Sequence, residues 1–278
     1  MKRYVSWITL GGLVASLLFC VSVLPEERFG TISKAHAQEK EENTPCSVAT
    51  LKGAYGFFRT GTTPFGPLVG VGISTFDGHG SSTGRQTIRR NGVTTSDLFA
   101  TPAGPGIYKV DPDCAARFLM PDGSLMGHAV IVDGGKEIFF MSLSDANTIY
   151  GVMKKINKEK EDSSCSVATL NGTYGFFRTG TTPFGPLVGI AISTFDGNGS
   201  STWRQTIRRN GVTISDLFTT PAVPVIYEVD PDCAARFLNP DGSVFGHAVV
   251  VDGGKELFAM NLSDANTIYG VMKKIDKD

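Results

Sequence analysis

Ser124-Leu-Met-Gly-His-Ala-Val-Ile-Val-Asp-Gly-Gly-Lys-Glu-Ile-Phe-Phe-Met-Ser-Leu143 is the stretch on which the fold turns. Two short apolar runs flank Asp133-Gly-Gly135, and a period of two places Met126, His128, Val130 and Val132 on one face of the first run. Asp-Gly supplies the positive φ that a tight reversal demands. The stretch therefore predicts two strands, 124–132 and 136–143, joined as a β-hairpin. The same pattern continues outward, with further strands expected at 54–60, 68–76, 82–90, 93–99, 106–110, 114–120 and 148–155. Asp77-Gly-His-Gly80, Asn91-Gly92, Asp111-Pro-Asp113 and Pro121-Asp-Gly123 stand between them as turns. No long 3.6-residue periodicity competes, so helices are expected to be few.

Strands joined by such short connections pair with their neighbours antiparallel, because a parallel crossover needs a dozen or more residues. A sheet of this size leaves raw edges unless it closes or folds over. Gly56, Gly70, Gly72, Gly127 and Gly151 interrupt the strand patterns, where glycine is useful for sharp bends and close approaches. The expected fold is all-β, a small antiparallel up-and-down β-barrel, with a Greek-key β-sandwich as the alternative.

The unit is written twice. Cys46-Ser-Val-Ala-Thr-Leu51 recurs as Cys165-Ser-Val-Ala-Thr-Leu170, and the match runs to Ile156 and Ile275 at an offset of 119, with 18 differences over 111 aligned positions. That period suits a complete small domain and not a solenoid repeat. The organisation expected is residues 1–37 as an export segment, 38–45 as a polar lead-in, barrel domains at 46–156 and 165–278, and a charged linker at 157–164 that lacks apolar residues.

Met1-Lys2-Arg3 followed by the uncharged stretch 4–24 reads as an export signal. Ala35-His36-Ala37 fits a small-x-small cleavage site, giving a secreted or periplasmic bacterial protein. The alternatives are an uncleaved anchor, which would be the chain's only attachment to a membrane, and lipidation at Cys20. The net charge of −1 offers no footprint for nucleic acid. Outside Cys20, each copy holds one pair of cysteines, and in an oxidising compartment these are expected to join as Cys46–Cys114 and Cys165–Cys233.

Chemistry-bearing motifs are scarce. The sequence contains no Gly-x-Ser-x-Gly, no dinucleotide or phosphate-cradling glycine loop and no Cys-x-x-Cys, so no catalytic residue, cofactor or metal is assigned. Asp196-Gly-Asn-Gly199 imitates the start of a calcium loop but lacks its glycine at position six and glutamate at position twelve. His128 and His247 are the histidines common to both copies. With Arg59, Arg117, Arg178 and Arg236 they form the candidate ligand-binding set, since a guanidinium in a barrel mouth fixes an acidic head group. The second copy replaces Phe140 by Ala259 and carries Trp203 where the first has Gly84. If these positions line a cavity, the two domains differ in cavity shape.

Thr50-Leu-Lys-Gly-Ala-Tyr-Gly-Phe57, Thr75-Phe-Asp-Gly-His-Gly80, Val110-Asp-Pro-Asp-Cys114 and Val130-Ile-Val-Asp-Gly-Gly-Lys-Glu-Ile138 resemble a group of secreted, mostly uncharacterised bacterial domains associated with lipocalin-like or allene-oxide-cyclase-like barrels. The resemblance covers both copies and implies a barrel and export, and brings no active-site pattern. The functional expectation is an exported tandem barrel that binds a small apolar molecule or an envelope or extracellular partner surface without turnover. The alternatives are an isomerase or cyclase working in the barrel interior through His128 and His247 or an arginine, and a structural or adhesive envelope protein.

Overall fold

The computed structural model describes residues 45–144, 146–156, 164–263 and 265–275. The expected export segment and most of the lead-in and linker lie outside them. The first copy forms β1 (Lys52–Thr63), β2 (Gly66–Asp77), β3 (Ser81–Arg90), β4 (Val93–Ser96), β5 (Gly104–Val110), β6 (Ala115–Leu119), β7 (Leu125–Val132), β8 (Glu137–Ser142) and β9 (Thr148–Lys155). The second repeats them as β10 (Asn171–Thr182), β11 (Gly185–Asp196), β12 (Ser200–Arg209), β13 (Val212–Ser215), β14 (Val223–Val229), β15 (Ala234–Leu238), β16 (Val244–Val251), β17 (Glu256–Asn261) and β18 (Thr267–Lys274).

Each copy is a closed antiparallel barrel. The strand order β2-β1-β9-β8-β7-β6-β5-β3 returns on itself because β2 also pairs with β3, which leaves eight strands without a free edge. This settles the choice between barrel and sandwich. The strand expected at 93–99 is shorter. β4 is a four-residue flap on the far end of β3, while β5 pairs with its near end, and residues 97–101 turn away.

One end of each barrel is plugged. A 3₁₀ turn, Val48–Thr50, folds across it and is tied down by the Cys46–Cys114 disulfide. Tyr55 donates to the Gly135 carbonyl at 2.6 Å, and Tyr108 donates to those of Val48 and Leu51 at 3.0 and 2.9 Å, so the buried hydroxyls are satisfied. Phe76 lies edge-on between the two tyrosine rings. The second barrel repeats all of this with Cys165–Cys233, Tyr174, Tyr227 and Phe195. Closing loops of 68 residues contributes about 4 kcal/mol per bridge on the chain-entropy account.

The two barrels pack into one compact unit through different faces. The outer face of β1–β3 in the first meets the outer face of β16–β18 in the second. Val69, Val71, Ile73 and Leu98 join Val249, Val251, Phe258 and Met260 in a shared apolar cluster. Phe58 stacks on Tyr269, and Phe99 covers both His247 and Arg236. Polar contacts frame it: Thr87 Oγ1 with His247 Nδ1 at 2.8 Å, Lys154 with Glu256 at 2.7 Å, Arg85 with Asp232, and Arg89 with the Leu262 and Asn266 carbonyls. Burial alone would depress the charge on Lys154, but the Glu256 hydrogen bond, with Glu137 and Asp252 nearby, raises its pKa.

Candidate functional site

Register decides which side chains face inward. Directly paired residues share a face, so the pairs Phe57–Gly72, Arg59–Gly70 and Phe57–Met153 put Phe57, Arg59 and Met153 inside the first barrel. The inner surface of β2 is glycine where these side chains lie. A Cβ on Gly72 would fall 2.5 Å from the Phe57 ring, and one on Gly70 would sit 3.3 Å from Arg59 Nε. The strand glycines thus make room for the site.

Above the floor of Phe76 and Phe118 lies a cavity of about 280 Å³, walled by Phe57, Phe140, Met126 and Met153, with Arg59, Ser74 and Gln86 as its polar members. Gly84, Gly104 and Gly106 form the thin side of the wall. Arg59 Nε is buried and has no hydrogen-bond partner, and neither has Arg90 Nε, two residues beyond the inward-facing Ile88. Burial, with a smaller contribution from the charge of Arg90, brings the Arg59 pKa down to about 10, so the guanidinium remains charged at neutral pH. The residues that line the cavity include no carboxylate. An apolar chamber with an uncompensated cation in its wall suits an anion that carries a hydrophobic body.

The second barrel has the same frame without the space. Trp203 replaces Gly84 and fills the interior, packing on Phe176 and Phe237 and donating from Nε1 to Ser201 Oγ at 3.0 Å. Val225 and Phe245 replace Gly106 and Met126, and about 30 Å³ remains beside Phe176, Arg178 and Trp203. Arg178 is also held down to about 10 by burial, yet its guanidinium donates to Gln205 Oε1 at 2.6 Å. Five of the 18 differences between the copies fall among the 14 residues lining the first cavity, so the divergence is concentrated where space is made or filled.

Of the six candidate ligand-binding residues, the structure places Arg59 and Arg178 inside the barrels and the other four outside. Arg117 pairs with His128 across β6 and β7 on the outer face, is exposed, and bonds Asp111 at 2.8 Å. His247 and Arg236 occupy the matching outer positions of the second barrel and are covered by the first. Phe140 and Trp203 both line the interior, as the repeat comparison anticipated. Sequence reading passed over Gln86 and Met153, which alternation from Phe57 through the paired strands finds once a strand is known to face inward. Strict alternation puts Met126 on the face of His128, Val130 and Val132; the bulge opposite Phe118 and Leu119 breaks that alternation, so Met126 lines the cavity while His128 faces outward.

No family model and no curated protein matches the chain. Among solved structures, similarity extends to CghA at 9% identity and a TM-score of 0.27, over 84% of this chain and 94% of that one. A protein of unknown function from the DUF3598 family of Nostoc punctiforme follows, at 10% identity and a TM-score of 0.25 over 81% and 97%. CghA with Sch210972 gives 10% and 0.26 over 84% and 94%. Likeness of that degree carries no argument about activity. No lipocalin-like or allene-oxide-cyclase-like family assignment is shown, and that resemblance stands only at the level of the barrel. The two disulfides point to a non-reducing, extracytoplasmic setting.

Proposed function

We propose that the protein is a secreted or periplasmic binding protein whose first barrel holds a small molecule with an apolar body and an anionic head, without turnover. The observation that carries this reading is the unpartnered Arg59 Nε in the wall of a chamber of about 280 Å³ that the second barrel fills with Trp203. The volume exceeds the roughly 150 Å³ that accommodates benzene and lies near the lower end of ordinary ligand sites. Phe57, Phe140, Met126 and Met153 supply the apolar contact, and Arg59 supplies the charge. The second barrel serves as a filled partner that covers one outer face of the first.

Native mass spectrometry of the disulfide-bonded protein, before and after organic extraction and then with medium-chain fatty acids added, tests this. One bound carboxylate per chain is expected, with Arg59→Met weakening it about tenfold or more, the loss of one charge-assisted hydrogen bond. Gly84→Trp, which copies the second barrel's filling, should abolish it. Failure of a panel of aliphatic and aromatic carboxylates to bind would overturn the reading.

A further inference from the structure

The interface between the barrels is heterologous: the face of β1–β3 on one copy receives the face of β16–β18 on the other. Because both copies carry both faces, the same chain also presents one unused example of each. On the first barrel, β7–β9 expose Val130, Phe139, Met141 and Tyr150; on the second, β10 and β11 with the segment after β13 expose Phe177, Val188, Ile190 and Phe218. The contrast with the used faces is large. Val249 is 0% exposed and Val130 52%, Phe258 is 1% and Phe139 49%, and Val71 is 0% while Ile190 is 55%.

We propose that a second copy of this chain covers these faces, the β10–β12 face of one molecule seating the β7–β9 face of the next through the contact already made inside each chain. Complementarity is inherited residue by residue. Arg204 stands ready for Asp113 as Arg85 does for Asp232, Thr206 for His128 as Thr87 for His247, and Lys273 for Glu137 as Lys154 for Glu256. Of the face residues named here and in the fold, only Val71 differs between copies on one face, as Ile190, and none differs on the other. The seat is also open: a groove of about 390 Å³ runs past Gly175, Phe177 and Ile190, at the place where Gly56 on the first barrel admits Val249 and Val251. In the second barrel β11 and β17 stand three strands apart in the closed order, so a barrel contacted at both faces bears its neighbours on separate sides. A heterologous contact of this kind does not end with a dimer; it grows into a ring or an open filament. Lacking the covalent linker, it is weaker than its intramolecular twin.

Analytical ultracentrifugation of the native protein from about 1 to about 200 µM reads the outcome, a range chosen because the tether's effective concentration is absent between chains. Mass rising beyond two chains is expected. Val130→Glu with Phe139→Glu closes one face and Ile190→Glu closes the other, all at exposed positions that leave each barrel's interior intact. Each variant alone should stay monomeric, and an equimolar mixture should form a 1:1 dimer that grows no further. A wild-type chain monomeric throughout the range would overturn the proposal. So would single-face variants that still self-associate, the mark of nonspecific apolar contact. Ligand binding in the cavity is unaffected by these substitutions, so the two readings fail separately.

Discussion

The two barrels are 93 parts in 111 the same sequence, yet one interior is hollow and the other solid, and one molecule's β1–β3 face is covered while its twin is bare. The first difference is written in the side chains; the second is not. Exchanging Gly84 for Trp203 and Gly106 for Val225 changes the volume enclosed by an unchanged backbone. The outer faces differ in burial because one contact between two kinds of face consumes only one of each. Identical sequence therefore leads to different environments, and any role assigned to His128 cannot simply be transferred to His247.

The largest expected effect tests the interior. Trp203→Ala removes a ring that fills the second barrel and should cost about 3–5 kcal/mol, read as a fall in the urea midpoint of that barrel. The reciprocal Gly84→Trp should be far milder, because the first barrel already holds the space. A cost for Gly84→Trp equal to that of Trp203→Ala would mean that the first cavity collapses in solution.

Alternation and turn chemistry made the barrel legible. All nine strands read in the first copy match within three residues at each end, because Asn-Gly and Asp-Gly turns punctuate them. The cysteine pairs were legible because each copy carries its own. The cavity was half legible: Gly84 against Trp203 flagged it, but Arg59 could be told from Arg117 only by the register that turns one inward and the other outward. The docking of the barrels left no mark in the sequence. Nothing distinguishes Val69 from Val188 except what the fold brings against one and not the other.

The next prediction uses His247, which lies under Phe99 with Thr87 bonded to Nδ1. Burial lowers its pKa from 6.5 to about 4; the charge of Asp97 opposes the shift and that of Arg236 adds to it. A histidine whose pKa is depressed in the docked state favours docking while neutral. Its contribution is thus fully present above pH 6.5 and is lost as the pH falls toward 4. The loss amounts to about 2 kcal/mol by pH 5. Small-angle scattering in mild urea should show the barrels separating between pH 6.5 and 5, above the range of ordinary carboxylates. His247→Gln should flatten that dependence, while His128→Gln, on the exposed twin position, should leave it. An unchanged slope in His247→Gln would assign the transition to another group.

The smallest effect is the sharpest comparison, since it concerns one hydrogen atom replaced by a methyl group at equivalent positions. A Cβ on Gly56 would lie 2.5 Å from Cγ1 of both Val249 and Val251, side chains fully buried in the interface. Both valines are fully buried, so Gly56→Ala should weaken docking by about 1–3 kcal/mol, the usual cost of overpacking. At Gly175 the nearest atom to such a Cβ is 4.0 Å away, on Ile275. Gly175→Ala should change the stability of the isolated chain by less than about 0.5 kcal/mol, as surface substitutions do. Gly175 nevertheless occupies the seat that Gly56 provides within the chain. Its alanine variant should therefore leave urea unfolding at low concentration unaltered and still suppress the rise in mass on concentration. Equal effects of the two substitutions on unfolding at low concentration would show that the barrels do not dock through the β1–β3 face.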